Sequence, residues 1–340
     1  MKKLTVILLT LALLLLTACG AAASQTATAE KQPPADGNYA DRVFDTSADA
    51  GKLTVRYLAL TSDDGDGKDM VTSGDSSVYT SPDGKIMLVD CGNRPSGAEV
   101  VTQLKSMGVE KIDILVMSHP HADHIGGFAT VADSFPIGQI YMNASVYDSG
   151  TYRSMMQTVA DKQIPYTILW EGDSFAFGSD VNVSVYSPAR DAIDQIKAGY
   201  MDENNCSIAM RLTYGSSSFW TSGDLYATGE SALIEKYGTS VRSDVVKMNH
   251  HGWDTSNSAA YVENMKPLIA AAMHDSITSK TVALRYSTRN VLTFYNCLDG
   301  AVRVSTPGDG TYDVQSQWVR DLTFYGTPSS DGHYQVQHTD

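Results

Sequence analysis

Four potential metal ligands lie within six residues of this sequence, directly after a short apolar run. The run, at 112–117, has the length and composition of a β-strand that is buried on both faces. It leads into His119, His121, Asp123 and His124. Three imidazoles and a carboxylate suit Zn²⁺ or another first-row divalent ion. The chain must therefore fold so that the end of a buried strand presents a metal site.

The spacing within this cluster indicates how the ligands are divided. His119 and His121 are two residues apart, so their side chains project to the same side of an extended segment. Asp123 and His124 follow where the chain turns, and they can face a second ion nearby. The glycine pair at 126–127 allows the backbone to turn tightly behind them.

Strand and helix patterns alternate through most of the chain. The apolar spacing predicts strands at 52–60, 77–81, 85–90, 181–186, 207–213, 219–221, 244–248 and 268–273. It predicts helices at 97–107, 152–159, 229–237 and 257–265. Strands mixed with helices and no internal linker indicate one layered α/β domain.

The N-terminus has the pattern of a bacterial export signal. Lys2 and Lys3 precede an apolar run at 4–16, which is shorter than the roughly 20 residues that span a bilayer. The run ends in Leu16-Thr17-Ala18-Cys19, which resembles a lipobox. The resemblance implies cleavage before Cys19 and a lipid on its thiol. We therefore expect a membrane-anchored lipoprotein on the extracytoplasmic face.

Composition sets the expected domain boundaries. Residues 1–18 form the signal peptide, and residues 19–50, rich in Ala, Thr, Ser, Asp and Pro, indicate a flexible tether. Residues 51–326 form the folded α/β domain. Residues 327–340 are polar and are expected to form a loose tail, in which His333 and His338 are solvated rather than ligands.

Charge and cysteine content restrict the possible functions. The net charge is −14, and loss of Lys2 and Lys3 with the signal peptide makes it −16. This acidity weighs against a protein that holds nucleic acid through basic patches. Cleavage leaves Cys91, Cys206 and Cys297, which allow one disulfide without indicating its partners.

Four motifs in order resemble those of the metallo-β-lactamase-fold hydrolases. The His119–His124 cluster is one, and Val89-Asp90-Cys91-Gly92 resembles the early strand-end aspartate of that fold. Ser222-Gly223-Asp224 resembles the motif whose carboxylate bridges two metals, and Asn249-His250-His251-Gly252 resembles the late histidine motif. The resemblance implies a four-layer αββα sandwich in a single domain.

Two further motifs narrow the resemblance. Gly74-Asp75-Ser76 before Asp90, and Asn204-Asn205-Cys206-Ser207 before Asp224, are similar to the branch that contains the C-terminal domain of the DNA-uptake protein ComEC and its free-standing relatives. The similarity covers roughly residues 52–311.

The resemblance implies two divalent ions, zinc or manganese, with these ligands: His119 and His121 for the first ion, and Asp123, His124 and His250 for the second. Asp224 would bridge the ions. His251 would replace His250 as ligand, or else contact a ligand or the substrate. Asp123, Asp224 and His251 are the expected catalytic residues. Asp90 would orient a ligand histidine.

Two departures from the family pattern affect the site. Many members place another histidine between the first cluster and the bridging aspartate, but no histidine occurs between His124 and His250. That stretch offers Asn205 and Cys206, which we expect beside the ligands, and Cys206 is an alternative ligand of the first ion. His274 is a candidate substitute for a histidine that related domains carry after a late strand. Lys247 is interpreted as an ordinary strand-face residue.

The expected activity is hydrolysis of phosphodiester bonds, as by a nuclease or phosphodiesterase, through a hydroxide that bridges two metals. A true β-lactamase resembles the pattern less, because His124 is present and the bridging residue is Asp224. One alternative is a teichoic-acid, small-ester or thioester hydrolase of the same fold. Another is a non-catalytic binding or assembly lipoprotein. The expected substrates are DNA, a cell-wall polymer or a small ester, and no protein partner is indicated.

Overall fold

Two β-sheets lie face to face at the centre of the fold, with helices on their outer surfaces. The computed structural model describes residues 37–61, 74–199, 201–319 and 329–338. The predicted signal peptide, the lipidation site Cys19 and the first part of the expected tether lie outside the described residues.

The strands, in chain order, are β1 (Leu53–Tyr57), β2 (Ser77–Thr80), β3 (Ile86–Val89), β4 (Ile112–Met117), β5 (Ile137–Met142), β6 (Tyr166–Ile168), β7 (Ser174–Phe177), β8 (Val181–Ser187), β9 (Ala209–Tyr214), β10 (Ser217–Thr221), β11 (Val245–Lys247), β12 (Ile269–Ala272), β13 (Leu292–Tyr295), β14 (Val302–Thr306), β15 (Thr311–Ser316) and β16 (His333–Gln337).

The helices are α1 (Ala40–Val43), α2 (Gly97–Ser106), α3 (Ala122–Ile125), α4 (Phe128–Ser134), α5 (Gly150–Asp161), α6 (Ala192–Lys197), α7 (Ala227–Tyr237), α8 (Ala259–Met265), α9 (Lys280–Ser287) and α10 (Asn296–Asp299). Short 3₁₀ turns occur at Glu203–Cys206, Gly238–Val241 and Asn249–Gly252. None of the helices in the described part of the chain combines the length and apolar character needed to cross a membrane.

Each sheet has a parallel half and an antiparallel half. Within the described residues, nine strands form the first sheet in the order β16-β15-β14-β1-β2-β3-β4-β5-β6, and seven form the second in the order β13-β12-β11-β10-β9-β8-β7. Strands β3 to β6 pair in parallel in the first sheet. Strands β10 to β13 pair in parallel in the second. The carboxyl ends of these parallel strands carry the candidate site.

Three apolar clusters define four layers. The first lies between the sheets and includes Val55 of β1 and Phe219 of β10. The second lies between the first sheet and helices α2, α4 and α5, and includes Phe128. The third lies between the second sheet and helices α7, α8 and α9, and includes Val246 and Val262. The order helix, sheet, sheet, helix confirms the expected αββα sandwich in a single domain.

The predicted boundary of the tether at residue 50 is wrong, because the described residues from 37 onward are folded against the domain. Asn38 forms a β-bridge with Trp318. The buried guanidinium of Arg56 holds the following segment: Nε donates to the Val43 carbonyl at 2.7 Å, and Nη1 pairs with Asp49 Oδ2 at 2.7 Å. A buried guanidinium must have its donors satisfied, and this segment supplies the acceptors.

The expectation of a loose tail is wrong for the described residues near the C-terminus. Strand β16 pairs antiparallel with β15 and extends the first sheet. Its alternation places Tyr334 and Val336 against the core between the sheets. His333 and His338 lie at the surface, where they pair with Asp313 and Asp244.

The three cysteines that follow the predicted cleavage site form no disulfide with one another. Cys91 and Cys206 are buried, and Cys297 is exposed. The structure therefore does not contain the disulfide that the cysteine count allowed among these residues.

Candidate metal centre

Strand ends from both sheets meet at the candidate site. Asp90 follows β3, and the His119–His124 cluster follows β4, its parallel neighbour. Asp224 follows β10, and the turn with His250 and His251 follows β11, which pairs in parallel with β10. Because parallel neighbours end at the same edge of a sheet, residues far apart in sequence are brought together here.

A single oxygen of Asp224 forms the centre of the site. Asp224 Oδ2 lies 3.7 Å from His119 Nε2 and 3.2 Å from His124 Nε2. It lies 3.8 Å from His250 Nε2 and 3.3 Å from His251 Nε2. One carboxylate oxygen therefore faces four imidazole nitrogens.

Asp90 fixes the orientation of His124. Its Oδ1 accepts a hydrogen bond from the Ser118 N–H at 2.7 Å, and its Oδ2 accepts one from Ser118 Oγ at 2.7 Å. Asp90 Oδ2 also lies 2.8 Å from His124 Nδ1, which must donate because an ionised carboxylate only accepts. Once Nε2 is deprotonated, as metal binding requires, its lone pair is directed toward Asp224 and Asp123. Asp90 thus has the orienting position that the resemblance implied.

His251 is oriented in the same way by Asp75. His251 Nδ1 lies 2.9 Å from Asp75 Oδ1 and 3.0 Å from the Met273 carbonyl oxygen, and both atoms are acceptors. Its Nε2 therefore faces inward, 3.1 Å from Asp123 Oδ2. Ligand atoms of Asp75, His124, Asp224 and His251 all lie within 4.8 Å of one another.

His250 has a different environment. Both histidines of this turn have left-handed backbone angles, with φ of 45° at His250 and 54° at His251. His250 Nδ1 hydrogen-bonds to Thr255 Oγ1 at 2.5 Å, and its side chain is 20% exposed. The sequence predicts His250 as the ligand beside Asp123 and His124, with His251 as the alternative. The structure places His251 beside Asp123, because the turn directs the two side chains differently.

The first pair of predicted ligands is also adjacent. His119 Nε2 lies 3.1 Å from His121 Nδ1, and His119 Nδ1 lies 3.1 Å from Ser118 Oγ. His119 is buried, whereas His121 is half-buried and its ring lies 5.1 Å from that of Tyr147. The extended segment thus projects both rings to one side, as their spacing predicts.

Asn205 and Cys206 contact neighbouring segments. Asn205 Oδ1 accepts a hydrogen bond from the Gly229 N–H at 3.2 Å, near the start of α7. Burial, with the charge of Glu203, raises the pKa of the Cys206 thiol to about 12. A thiol in this state is protonated at neutral pH and is a poor ligand until it loses its proton.

The charges within the site stabilise one another. Burial alone would lower the pKa of His124 and His251, but Asp224 and the other carboxylates raise both pKa values well above the usual range. Burial alone would raise the pKa of Asp224, but His124 and His251 hold it well below its usual value. Burial and the neighbouring His124 lower the pKa of His119. In the metal-free protein, His124 and His251 therefore serve as the internal cations of the site.

The residues fit a divalent cation. His124 Nε2 is buried and has no hydrogen-bond partner within the described part of the protein. Imidazole nitrogens and carboxylate oxygens are the donors that zinc and similar ions prefer. A cation bound among Asp123, His124, Asp224 and His251 would satisfy the free His124 nitrogen.

Comparison with known proteins decides the family. Residues 70–286 match the family model described as Metallo-beta-lactamase superfamily. The chain belongs to the metallo-β-lactamase superfamily. Members of this superfamily are generally metal-dependent hydrolases, and the cluster described above is the part of this member that can hold metal.

Relatives of this superfamily member include competence proteins. The chain is 26% identical over 255 residues to Competence protein ComA of Neisseria gonorrhoeae, covering 73% of this chain and 33% of the relative. It is 22% identical over 167 residues to ComE operon protein 3 of Bacillus subtilis, covering 49% and 20%. It is 32% identical over 97 residues to Ribonuclease Z of Clostridioides difficile, covering 27% and 30%. The chain thus spans a third or less of each of these relatives.

Two residues that contact the candidate site lie outside the ligand set that the sequence predicts. Asp75 belongs to one of the motifs that carry the resemblance, and the sequence predicts Lys247 to be an ordinary strand-face residue. Lys247 is buried, donates to the Gly223 carbonyl at 2.8 Å, and forms an ion pair with Asp75 Oδ2. The sequence does contain one indication of this contact: Lys247 stands in a strand whose neighbouring residues are apolar. A lysine that is buried at such a position needs an acidic or polar partner.

Three aromatic side chains border the histidines of the site. Their ring centres lie 5.1 Å apart for Tyr147 and His121, 5.1 Å for Tyr226 and His250, and 6.2 Å for Trp253 and His274. The His274 ring in turn lies 5.8 Å from that of His251. Trp253 is 40% exposed. These rings give the rim of the site apolar surface beside its polar centre.

Proposed function

We propose that this protein hydrolyses phosphodiester bonds with the help of two divalent cations, zinc or manganese. The observation that carries the proposal is the position of Asp224 Oδ2, which lies within 3.8 Å of the Nε2 atoms of four histidines. A carboxylate at the centre of so many nitrogen donors is suited to bridge two ions.

The two ions share Asp224 as a ligand in this proposal. The other ligands are His119 and His121 for the first ion, and Asp123, His124 and His251 for the second. Bound cations at these positions would polarise the phosphoryl oxygens and lower the pKa of a coordinated water. His251 takes the ligand role first given to His250, because its Nε2 lies 3.1 Å from Asp123 Oδ2.

The protein's own residues prepare the site before any substrate arrives. Asp90 and Asp75 hold the protons of His124 and His251 on Nδ1, so that both Nε2 atoms face the centre. His250 is 20% exposed; its Nε2 lies 3.8 Å from Asp224 Oδ2, and its Nδ1 is bound to Thr255. Burial lowers the pKa of His250, so its imidazole is neutral at pH 7 and able to accept a proton near the substrate.

Two observations favour phosphodiesters among the substrates that such a site can attack. An aspartate, Asp224, occupies the bridging position and His124 is present, a combination that sets this site apart from true β-lactamases. The local similarity to Ribonuclease Z, at 32% identity over 97 residues, supports the same class. The net charge of −14 favours a short or single-stranded substrate over a long polyanion such as duplex DNA.

The test is hydrolysis of bis-p-nitrophenyl phosphate by the purified protein with added manganese or zinc. We expect turnover that chelation abolishes and that the Asp224→Ala variant lacks. The matched control is Asp113→Ala, which removes a carboxylate on β4 that pairs with Lys111. Absence of turnover with every divalent metal, in folded protein that binds metal, would refute the proposal.

The same preparation tests the alternatives. A substrate panel of carboxylic esters, lactones, thioesters and teichoic-acid fragments would identify a different hydrolase of the same fold. Folded protein that binds no divalent ion would favour a binding or assembly role instead.

We also propose that the protein is anchored by lipid at Cys19 on the outer face of a bacterial cell membrane. The lipobox-like segment that ends at Cys19 supports this proposal. Radiolabelled palmitate should be incorporated into the full chain and not into the Cys19→Ala variant. Equal labelling of both would contradict it.

A further inference from the structure

Lys247 is a buried cation between two carboxylates of the candidate metal centre. Its side chain is 3% exposed, although it lies in the short strand β11. Its Nζ donates to the Gly223 carbonyl at 2.8 Å, forms an ion pair with Asp75 Oδ2, and lies 3.6 Å from Asp224 Oδ1. Three oxygens thus surround one ammonium group.

The position of Lys247 makes the two oxygens of Asp224 inequivalent. Oδ2 faces the four histidines, whereas Oδ1 faces Lys247. The terminal torsion of an aspartate is broad, so the carboxylate alone does not select one orientation. A buried positive charge on one side favours one orientation, because the ammonium group of Lys247, 3.6 Å from Oδ1, attracts that oxygen.

The same ammonium group acts on His251 through Asp75. Asp75 Oδ2 pairs with Lys247, and Asp75 Oδ1 accepts the proton of His251 Nδ1 at 2.9 Å. Both oxygens of Asp75 are therefore engaged, which makes it a residue that orients a ligand rather than a ligand itself. Lys247, Asp75, His251 and Asp224 form a closed ring of contacts.

We propose that Lys247 is a positioning residue of the metal centre. Its charge draws Asp224 Oδ1 to its own side, which leaves Oδ2 as the oxygen that would be available to divalent cations, and through Asp75 it keeps His251 Nε2 turned toward Oδ2. This role rests on the metal centre of the proposed function, but not on the identity of the substrate.

Lys247 could instead serve only to neutralise carboxylate charge, and the two roles predict opposite changes in metal affinity when the lysine is removed. If Lys247 served only to offset carboxylate charge, its removal would leave a more negative site, which would bind a divalent cation more tightly. If Lys247 positions Asp224 and His251, its removal leaves them free to turn, and binding weakens. The sign of the change therefore separates the two roles.

The experiment measures Mn²⁺ affinity and stoichiometry by competition with a chelator in the full chain and in Lys247→Met. We expect binding to weaken about 10- to 100-fold, as for the loss of other groups that orient metal ligands. The control is Lys236→Met, which removes an exposed lysine of α7 that pairs with Glu171, and its affinity should be unchanged.

A second variant keeps the proposal testable if Lys247→Met does not fold. Asp75→Asn combined with Lys247→Met removes both charges of the ion pair and keeps an amide oxygen that can accept from His251. We expect weakened binding here too, since Asp224 has still lost its partner. Unchanged or tighter Mn²⁺ binding in either folded variant would overturn the proposal. Failure of both variants to fold would also overturn it, because Lys247 would then contribute to the stability of the core instead.

The outcomes also separate this inference from the proposed function. Unmodified protein that binds no divalent ion would overturn both. The unmodified protein could bind ions and cleave phosphodiesters while Lys247→Met binds the ions equally well. That result would overturn only the role of Lys247.

Discussion

Replacing Asp90 by asparagine should weaken metal binding while leaving the fold in place. The asparagine side chain is nearly the same size, and its oxygen could still accept from the Ser118 N–H, now 2.7 Å from Asp90 Oδ1. Its amide nitrogen would replace the oxygen that now lies 2.8 Å from His124 Nδ1. Two donors would then face each other, so His124 would move its proton to Nε2 and lose the lone pair that binds the ion.

The size of the effect follows from this change of tautomer. Groups that orient metal ligands typically contribute about 10- to 100-fold in affinity, which corresponds to about 1.4 to 2.8 kcal/mol. Chelator competition with Zn²⁺ or Mn²⁺ measures the change for Asp90→Asn. Asp113→Asn is a matched control, because Asp113 lies on β4 beyond hydrogen-bonding contact with the histidines and pairs with Lys111 at 2.8 Å. An affinity for Asp90→Asn within about twofold of the unmodified protein would refute the reasoning.

Three further results are expected. The metal-free protein should lose stability in urea as pH rises above the ordinary histidine range, because the raised pKa values of His124 and His251 favour the folded state only while both are protonated. Asp49→Ala should lower the free energy of unfolding by about 3 to 5 kcal/mol, because it leaves the buried Arg56 guanidinium without its carboxylate. Trp253→Ala should raise KM about 5- to 150-fold for a nucleotide substrate with little change in kcat, because a stacked base contributes about 1 to 3 kcal/mol.

Each of these results has its own control. Metal-loaded protein should show a weaker loss of stability over the same rise in pH, since bound ions replace the two protonated histidines. Combining Asp49→Ala with Arg56→Met should recover part of the lost stability, because no buried charge remains unpaired. A dialkyl phosphate substrate, which has no ring to stack, should show the same KM in Trp253→Ala as in the unmodified protein. A proportional rise in KM for both substrates would contradict the stacking role.

The parts of the fold that could be predicted are those with strong local patterns. Strand β4 is apolar apart from Asp113, and α5 places Met155 and Val159 on one buried face. The strands at 302–306 and 311–316 and helix α9 were not predicted, although they complete the first sheet and the outer layer of the second. Strand β16 depends on pairing with β15, a contact that no local window contains.

The boundary between the predicted tether and the folded domain could not be predicted from the sequence for a different reason. Residues around Tyr39 and Asp49 have the composition of a linker, and separate contacts attach them: the Asn38 bridge to Trp318, the buried Val43 side chain, and the Arg56 guanidinium. Sequence patterns reveal amphipathic elements, whereas scattered contacts of this kind have no regular spacing in the sequence.

The sequence predicts those ligands of the candidate site that lie close together along the chain. The cluster from His119 to His124 indicated a metal site by density alone. The contact between Asp75 and His251 joins residues 176 positions apart, so only the folded chain shows it. The choice between His250 and His251 depends on a left-handed turn, and consecutive histidines give no indication of which one faces inward.

The attachment of the N-terminal segment has a consequence for the distance over which the site can act. The chain is already fixed to the body at Asn38, so with the predicted lipid on Cys19 only the residues between these two points can separate membrane and body. A chain of about 18 residues spans at most about 60 Å when fully extended. The full 19–50 stretch would have allowed nearly twice that distance. Substrates of a protein anchored in this way would have to come within a narrow layer at the cell surface.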